Sequence, residues 1–80
     1  MIKVLITGAS SGLGKSFGKY FGEMGCKLYV VSRNKKELSK IYKNIRPKVT
    51  LLEYDLSVLE NCYELHRKLK KENIDILINN

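Results

Sequence analysis

Eighty residues allow one small domain with a modest core, and an apolar fraction of 44% beside 29% charged residues excludes a disordered chain. No apolar run approaches the ~20 residues of a membrane-spanning helix, and the chain runs straight into a strand without a basic, cleavable leader, so the expected location is the cytoplasm. A net charge of +7 suits an anionic cofactor or nucleic acid, but Lys35, Lys36, Lys40, Lys43 and Lys68, Lys70, Lys71 are scattered as on solvated helix faces, without the interleaved aromatics of a nucleic-acid platform.

Ile2 to Ile6 is a run of β-branched and aliphatic residues stopped by Thr7-Gly8, which predicts a first strand. After a turn rich in Gly and Ser, Leu13, Phe17, Phe21 and Met24 recur at helical spacing and predict the buried stripe of a first helix, ended by Gly25. Leu28 to Val31 predicts a second strand, closed by Ser32-Arg33-Asn34. Asn34 with Glu37 resembles a capping box, and Leu38, Ile41 and Tyr42 supply the stripe of a second helix, with Pro47 in the loop after it. Val49 to Leu52 predicts a third strand, which Glu53-Tyr54-Asp55 carries into a turn. Ser57 and Glu60 form a second capping box ahead of a helix whose apolar face is Val58, Cys62, Leu65 and Leu69. Ile74 to Ile78, interrupted only by Asp75, predicts a fourth strand that stops at Asn79-Asn80. The order βαβαβαβ, with strands that are apolar throughout, indicates an α/β fold with a parallel sheet covered on both faces. Cys26 and Cys62 have no CxxC spacing and no histidine pair near them, so they are read as buried reduced thiols, with no metal site. His66, among charged residues, is read as a surface histidine.

The chemistry lies in the turn after the first strand. A glycine-rich turn there leaves unsatisfied backbone N–H groups at the positive end of a helix, and these attract a phosphate. The candidate binding residues are Gly8, Ser10, Ser11, Gly12, Leu13 and Gly14, with glycines where a Cβ would obstruct the turn or the approaching pyrophosphate. A P-loop is the rival, since Gly14-Lys15-Ser16 follows Ala9 at its spacing. The first P-loop glycine is missing, Gly8 and Gly12 are extra, and the fourth strand ends in Asn-Asn, although Asp55 after the third strand offers an acid for magnesium.

Thr7-Gly8-Ala9-Ser10-Ser11-Gly12-Leu13-Gly14 resembles the TGxxxGxG motif of the short-chain dehydrogenases/reductases. Asp55-Leu56 resembles the acidic-aliphatic pair after their third strand, and Asn79-Asn80 the start of their Asn-Asn-Ala-Gly segment. The resemblance spans the chain and implies a partial Rossmann fold, a doubly wound parallel sheet with strand order 3-2-1-4. It implies that the turn lies under the pyrophosphate of a nicotinamide dinucleotide, that Asp55 and Leu56 contact the adenine, and that Asn79 braces the sheet beside the cofactor.

Where NAD is preferred, a carboxylate at the end of the second strand bonds the ribose 2′-hydroxyl and repels a 2′-phosphate. Ser32 stands in that place, Arg33 follows with a guanidinium suited to a phosphate, and Ser32 and Asn34 add neutral donors, so NADP(H) is favoured over NAD(H).

The resemblance implies hydride transfer between NADP(H) and a carbonyl or alcohol, performed by a serine and a Tyr-x-x-x-Lys pair beyond the fourth strand. Here Tyr20, Tyr29, Tyr42, Tyr54 and Tyr63 are followed four residues later by Met24, Arg33, Arg46, Val58 and Arg67. Residues 1–80 are therefore read as the amino-terminal part of one NAD(P)-binding domain, without its catalytic part and inactive alone. The fourth strand is expected to be an unpaired edge with Ile76 and Ile78 poorly covered, a place for the missing half or for a complementing chain. Three readings stay open: the cofactor-binding segment of a reductase, a stand-alone or complementing dinucleotide-binding module, and a P-loop protein. The substrate is not legible.

Overall fold

The structure is a computed structural model that describes residues 1–45 and 49–80; Pro47, read as the loop after the second helix, lies outside them. The elements alternate as expected: β1 (Lys3–Thr7), α1 (Gly12–Glu23), β2 (Lys27–Ser32), α2 (Lys35–Tyr42), β3 (Val49–Glu53), α3 (Leu59–Leu69) and β4 (Ile76–Asn79). The strands form one parallel sheet in the order β3-β2-β1-β4, so the α/β class and the order 3-2-1-4 hold.

Alternation along the strands sends side chains to two faces. Val4 and Ile6 of β1 stand opposite Leu28 and Val30 of β2 and Ile76 and Ile78 of β4. With Val49, and with Leu38 and Tyr42 of α2, they form the larger core. On the other face Tyr29, Val31 and Leu52 pack against Leu65 and Leu69 of α3. Burial of these apolar groups is the main stabilising term, at about 25 cal/mol per Å².

Helix α1 departs from the expected pattern. Its buried residues are Gly14, Gly18 and Gly22, while Leu13 is 67% and Met24 63% exposed and Phe17 is exposed as well. Of the predicted stripe only Phe21 packs on the core. The apolar period marked a helix correctly but not its inner face. The glycines recur every four residues and let α1 lie where side chains would collide. A Cβ on Gly18 would run into the Tyr42 hydroxyl, and one on Gly22 would stand 2.9 Å from Ile45.

The two caps also differ. Asn34 caps α2, its Oδ1 accepting from the amides of Lys36 and Glu37 at 3.0 and 3.2 Å. Ser57 does not cap α3: the N-cap is Val58, without a side-chain bond, and the Ser57 hydroxyl donates to Asp55 Oδ1. The nearby carboxylate is the stronger acceptor and holds the hydroxyl away from the helix. Leu65 and Leu69 are buried as predicted, whereas Val58 is exposed and Cys62 half-buried, its thiol donating to the Leu56 carbonyl at 3.2 Å. At the β4 edge Ile76 and Ile78 are half-buried against the larger core, and it is Leu77, on the other face, that is 60% exposed.

Candidate functional site

β1, β2 and β3 step outward in one direction, and the chain then crosses back over β2 and β1 to place β4. Such a reversal leaves a crevice beyond the carboxyl ends of the strands. An open cleft of about 750 Å³ lies there, and its walls come from all four strand ends: Thr7 and Gly8, Ser32 and Arg33, Tyr54 and Asp55, Asn79 and Asn80.

The glycine turn forms its floor. Gly8 and Gly12 have φ of +60° and +55°, a left-handed backbone that a side chain would strain. A Cβ on Gly12 would meet nothing within 4 Å, so the approach to the amino end of α1 is open, and no acidic residue stands in that first turn. A Cβ on Gly14 would strike the Gly8 carbonyl oxygen and lie 2.8 Å from Asn80 Nδ2, so this glycine permits helix and turn to touch. The turn is tied on three sides. The Ala9 amide donates to the Val31 carbonyl at 3.0 Å. The Tyr42 hydroxyl donates to the Ala9 carbonyl at 2.8 Å, and Asn80 Nδ2 to the Gly8 carbonyl at 3.1 Å. The Thr7 hydroxyl donates to Asn79 Oδ1 at 3.0 Å and accepts from the Asn80 amide at 3.1 Å, which fastens β4 to the end of β1.

At the end of β2, Ser32 Oγ accepts from the Asn34 amide at 3.0 Å, which leaves its hydrogen able to point elsewhere. Arg33 is exposed on the cleft wall. Asn34 uses Oδ1 on the helix cap, so Nδ2 is the part that can face a ligand. After β3, the Ser57 hydroxyl and amide both bond Asp55 and hold its carboxyl below the usual carboxylate range; burial works the other way, and the Arg33 charge assists less. Burial pushes Tyr42 up to about 12, which favours the protonated hydroxyl that donates to Ala9.

Of the residues expected at the site, Gly8, Ser10, Ser11, Ser32, Arg33, Asn34, Asp55, Leu56 and Asn79 line the cleft. Gly12, Leu13 and Gly14 belong to the first turn of α1 instead; Leu13 points to solvent and Gly14 is buried. Thr7, Glu37, Tyr54, Ser57 and Asn80 also line it without having been singled out. Asn80, next to a residue already chosen, was within reach of the motif. Tyr42 was not, because its bond to Ala9 spans 33 residues. Among the described residues no group of three His, Cys, Asp or Glu could hold a metal ion, and no helix is long and apolar enough to cross a membrane.

A sequence profile of the short chain dehydrogenases matches residues 3–80. A Drosophila melanogaster protein described as dehydrogenase/reductase SDR family protein 7-like is 40% identical over 96% of this chain, which covers 26% of that protein. Among solved structures, a short-chain dehydrogenase from Sphingobium yanoikuyae in complex with NADPH has a TM-score of 0.87 and 32% identity, over 96% of this chain and 32% of that one. A 3-ketoacyl-(acyl-carrier-protein) reductase from Brucella melitensis complexed with NADH has a TM-score of 0.80 and 29% identity, over 95% and 32%. The chain spans about a quarter of the length of the curated relatives it matches.

Proposed function

The chain belongs to the short-chain dehydrogenases, a family of oxidoreductases, and from that premise we propose that its cleft binds a nicotinamide dinucleotide, NADP(H) in preference to NAD(H). The observation that carries the reading is that Ser32 and the Arg33 guanidinium share one cleft wall, at the strand end where an NAD-preferring site needs a carboxylate. Gly8, Ser10, Ser11 and Gly12 would lie under the pyrophosphate, Asp55 and Leu56 beside the adenine, and Asn79 behind the turn. Arg33 would grip the 2′-phosphate, with the Ser32 hydroxyl and Asn34 Nδ2 as neutral donors.

Residues 1–80 serve, on this reading, as the cofactor-binding part of a domain that exchanges hydride between NADP(H) and a carbonyl or alcohol. The general acid/base and its lysine come from outside these residues. Leu77 and an apolar recess of about 400 Å³ lined by Leu5, Leu65, Leu69 and Ile74 suit a further strand and helix, from the same polypeptide or a complementing one.

Titration with NADPH, NADH and Mg-ATP tests the reading. NADPH is expected to bind tightest, and tighter binding of Mg-ATP would restore the P-loop alternative. Arg33→Ala should weaken NADPH by ~1–3 kcal/mol and leave NADH nearly unchanged. Equal losses for both would mean that Arg33 does not read the 2′-phosphate.

A further inference from the structure

Tyr42 closes α2 far from the cleft in sequence, yet its hydroxyl reaches the turn. The side chain is fully buried, and its hydroxyl donates to the Ala9 carbonyl at 2.8 Å. A phenylalanine would fill the same space without the cost of burying a hydroxyl, a cost that only a hydrogen bond offsets. The chain also keeps Gly18 where any side chain would occupy the place of that hydroxyl and of the ring atoms beside it. Two positions, 24 residues apart in the numbering of Gly18 and Tyr42, thus serve one bond.

What that bond does follows from the peptide group. A trans peptide is planar, with C=O and N–H pointing in opposite directions. The Ala9 carbonyl and the Ser10 amide belong to one such plane, so a carbonyl drawn inward turns the Ser10 N–H outward, on the side where Ser10 lines the cleft. The preceding plane is fixed in the same manner: Asn80 holds the Gly8 carbonyl while the Ala9 amide is bonded to Val31. Ala9 is fully buried, so no solvent would replace Tyr42 on its carbonyl.

We infer that Tyr42 is a positioning residue for ligand binding: its hydroxyl, held in the space kept by Gly18, aims the Ser10 amide at a phosphate of the dinucleotide. The inference rests on the dinucleotide reading above.

The test uses the complete polypeptide that carries this sequence, with ADP and adenosine as probes. ADP keeps the pyrophosphate that would meet the turn, and adenosine lacks it. Tyr42→Phe should weaken ADP about fivefold, the scale of one lost hydrogen bond, and leave adenosine within about twofold. Equal weakening of both probes, or of neither, would overturn the inference, because a purely structural tyrosine would not distinguish them. Failure of the unaltered protein to bind either NADPH or ADP would instead sink the dinucleotide reading itself. A measurement on the unaltered chain covers a Tyr42→Phe variant that does not fold. With tyrosines labelled at Cζ, the Tyr42 carbon signal should move on saturation with ADP and stay in place with adenosine; a signal indifferent to ADP would refute the role.

Discussion

Helices α1 and α3 lie on opposite faces of the same sheet, and each shows an apolar stripe in sequence, yet they meet the sheet in opposite ways. α3 packs through Leu65 and Leu69, as its stripe predicts. α1 packs through Gly14, Gly18 and Gly22 and leaves Leu13, Tyr20 and Met24 outside. The difference follows from what each helix has to hold. α3 covers a face, and leucines set its distance by their own bulk. α1 has to bring its amino end against the turn after β1, and only glycine allows Gly14 to rest on the Gly8 carbonyl. Close approach of backbone to backbone therefore took precedence over apolar burial where α1 meets the turn of the candidate site.

The strongest way to break this contrast is to give α1 a side chain where it touches the turn. Gly14→Ala puts a Cβ into the Gly8 carbonyl oxygen, a backbone atom that cannot swing aside, and crowds Asn80 Nδ2. Alanine gains about 1 kcal/mol of helix propensity, but overpacking against a backbone atom, at the upper end of about 1–3 kcal/mol, should outweigh it and leave a net loss on the order of 2 kcal/mol. Urea unfolding would read that loss, and a dinucleotide titration would show binding lost with it. A variant as stable as the parent would mean that α1 is not held at this distance.

A second comparison sets the two faces against each other through their buried tyrosines. Burial pushes Tyr42, on the α1 and α2 side, up to about 12; Tyr29, on the α3 side, rises to about 12 through burial first and then its hydrogen bond to Glu72. Both values lie above the unfolded value of 10.0, so the stabilisation is fully present below pH 10 and is lost as pH rises through about 12. Alkaline unfolding should therefore steepen between those limits, by on the order of 2 kcal/mol for Tyr42 and by less for Tyr29, whose hydroxyl is only part-buried. Tyr42→Phe and Tyr29→Phe should each remove part of that slope. A profile unchanged by Tyr42→Phe would mean that its hydroxyl is not withdrawn from water.

The contrast between the helices also marks how far the sequence could be read. Element order and a parallel sheet were legible, because apolar runs and turn residues act locally and parallel crossovers have one hand; the strand order came from the family resemblance. Arg33 was singled out because it directly follows a strand, and Asp55 and Asn79 because they resemble family motifs after the third strand and at the end of the fourth. The inner face of α1 was not legible, since hydrophobic periodicity counts large side chains and is blind to a helix that packs by lacking them. Ser57 was assigned to the wrong partner because spacing alone does not rank Asp55 above a helix amide as an acceptor. Tyr42 reaches the turn across 33 residues, a contact that no local pattern encodes.

The smallest effect is expected on the outer stripe of α1. Leu13 is 67% exposed and does not line the cleft, so Leu13→Gln removes apolar surface that is already in water. Glutamine has nearly the same helix propensity as leucine, and exposed substitutions fall within about 0.5 kcal/mol of the parent. Stability and dinucleotide affinity should both stay put, in contrast to Gly14→Ala one residue later in the same turn. A loss of about 1 kcal/mol or more, beyond that surface range, would show that something packs on Leu13, and α1 would then be a helix with two buried faces, glycine inside and apolar outside.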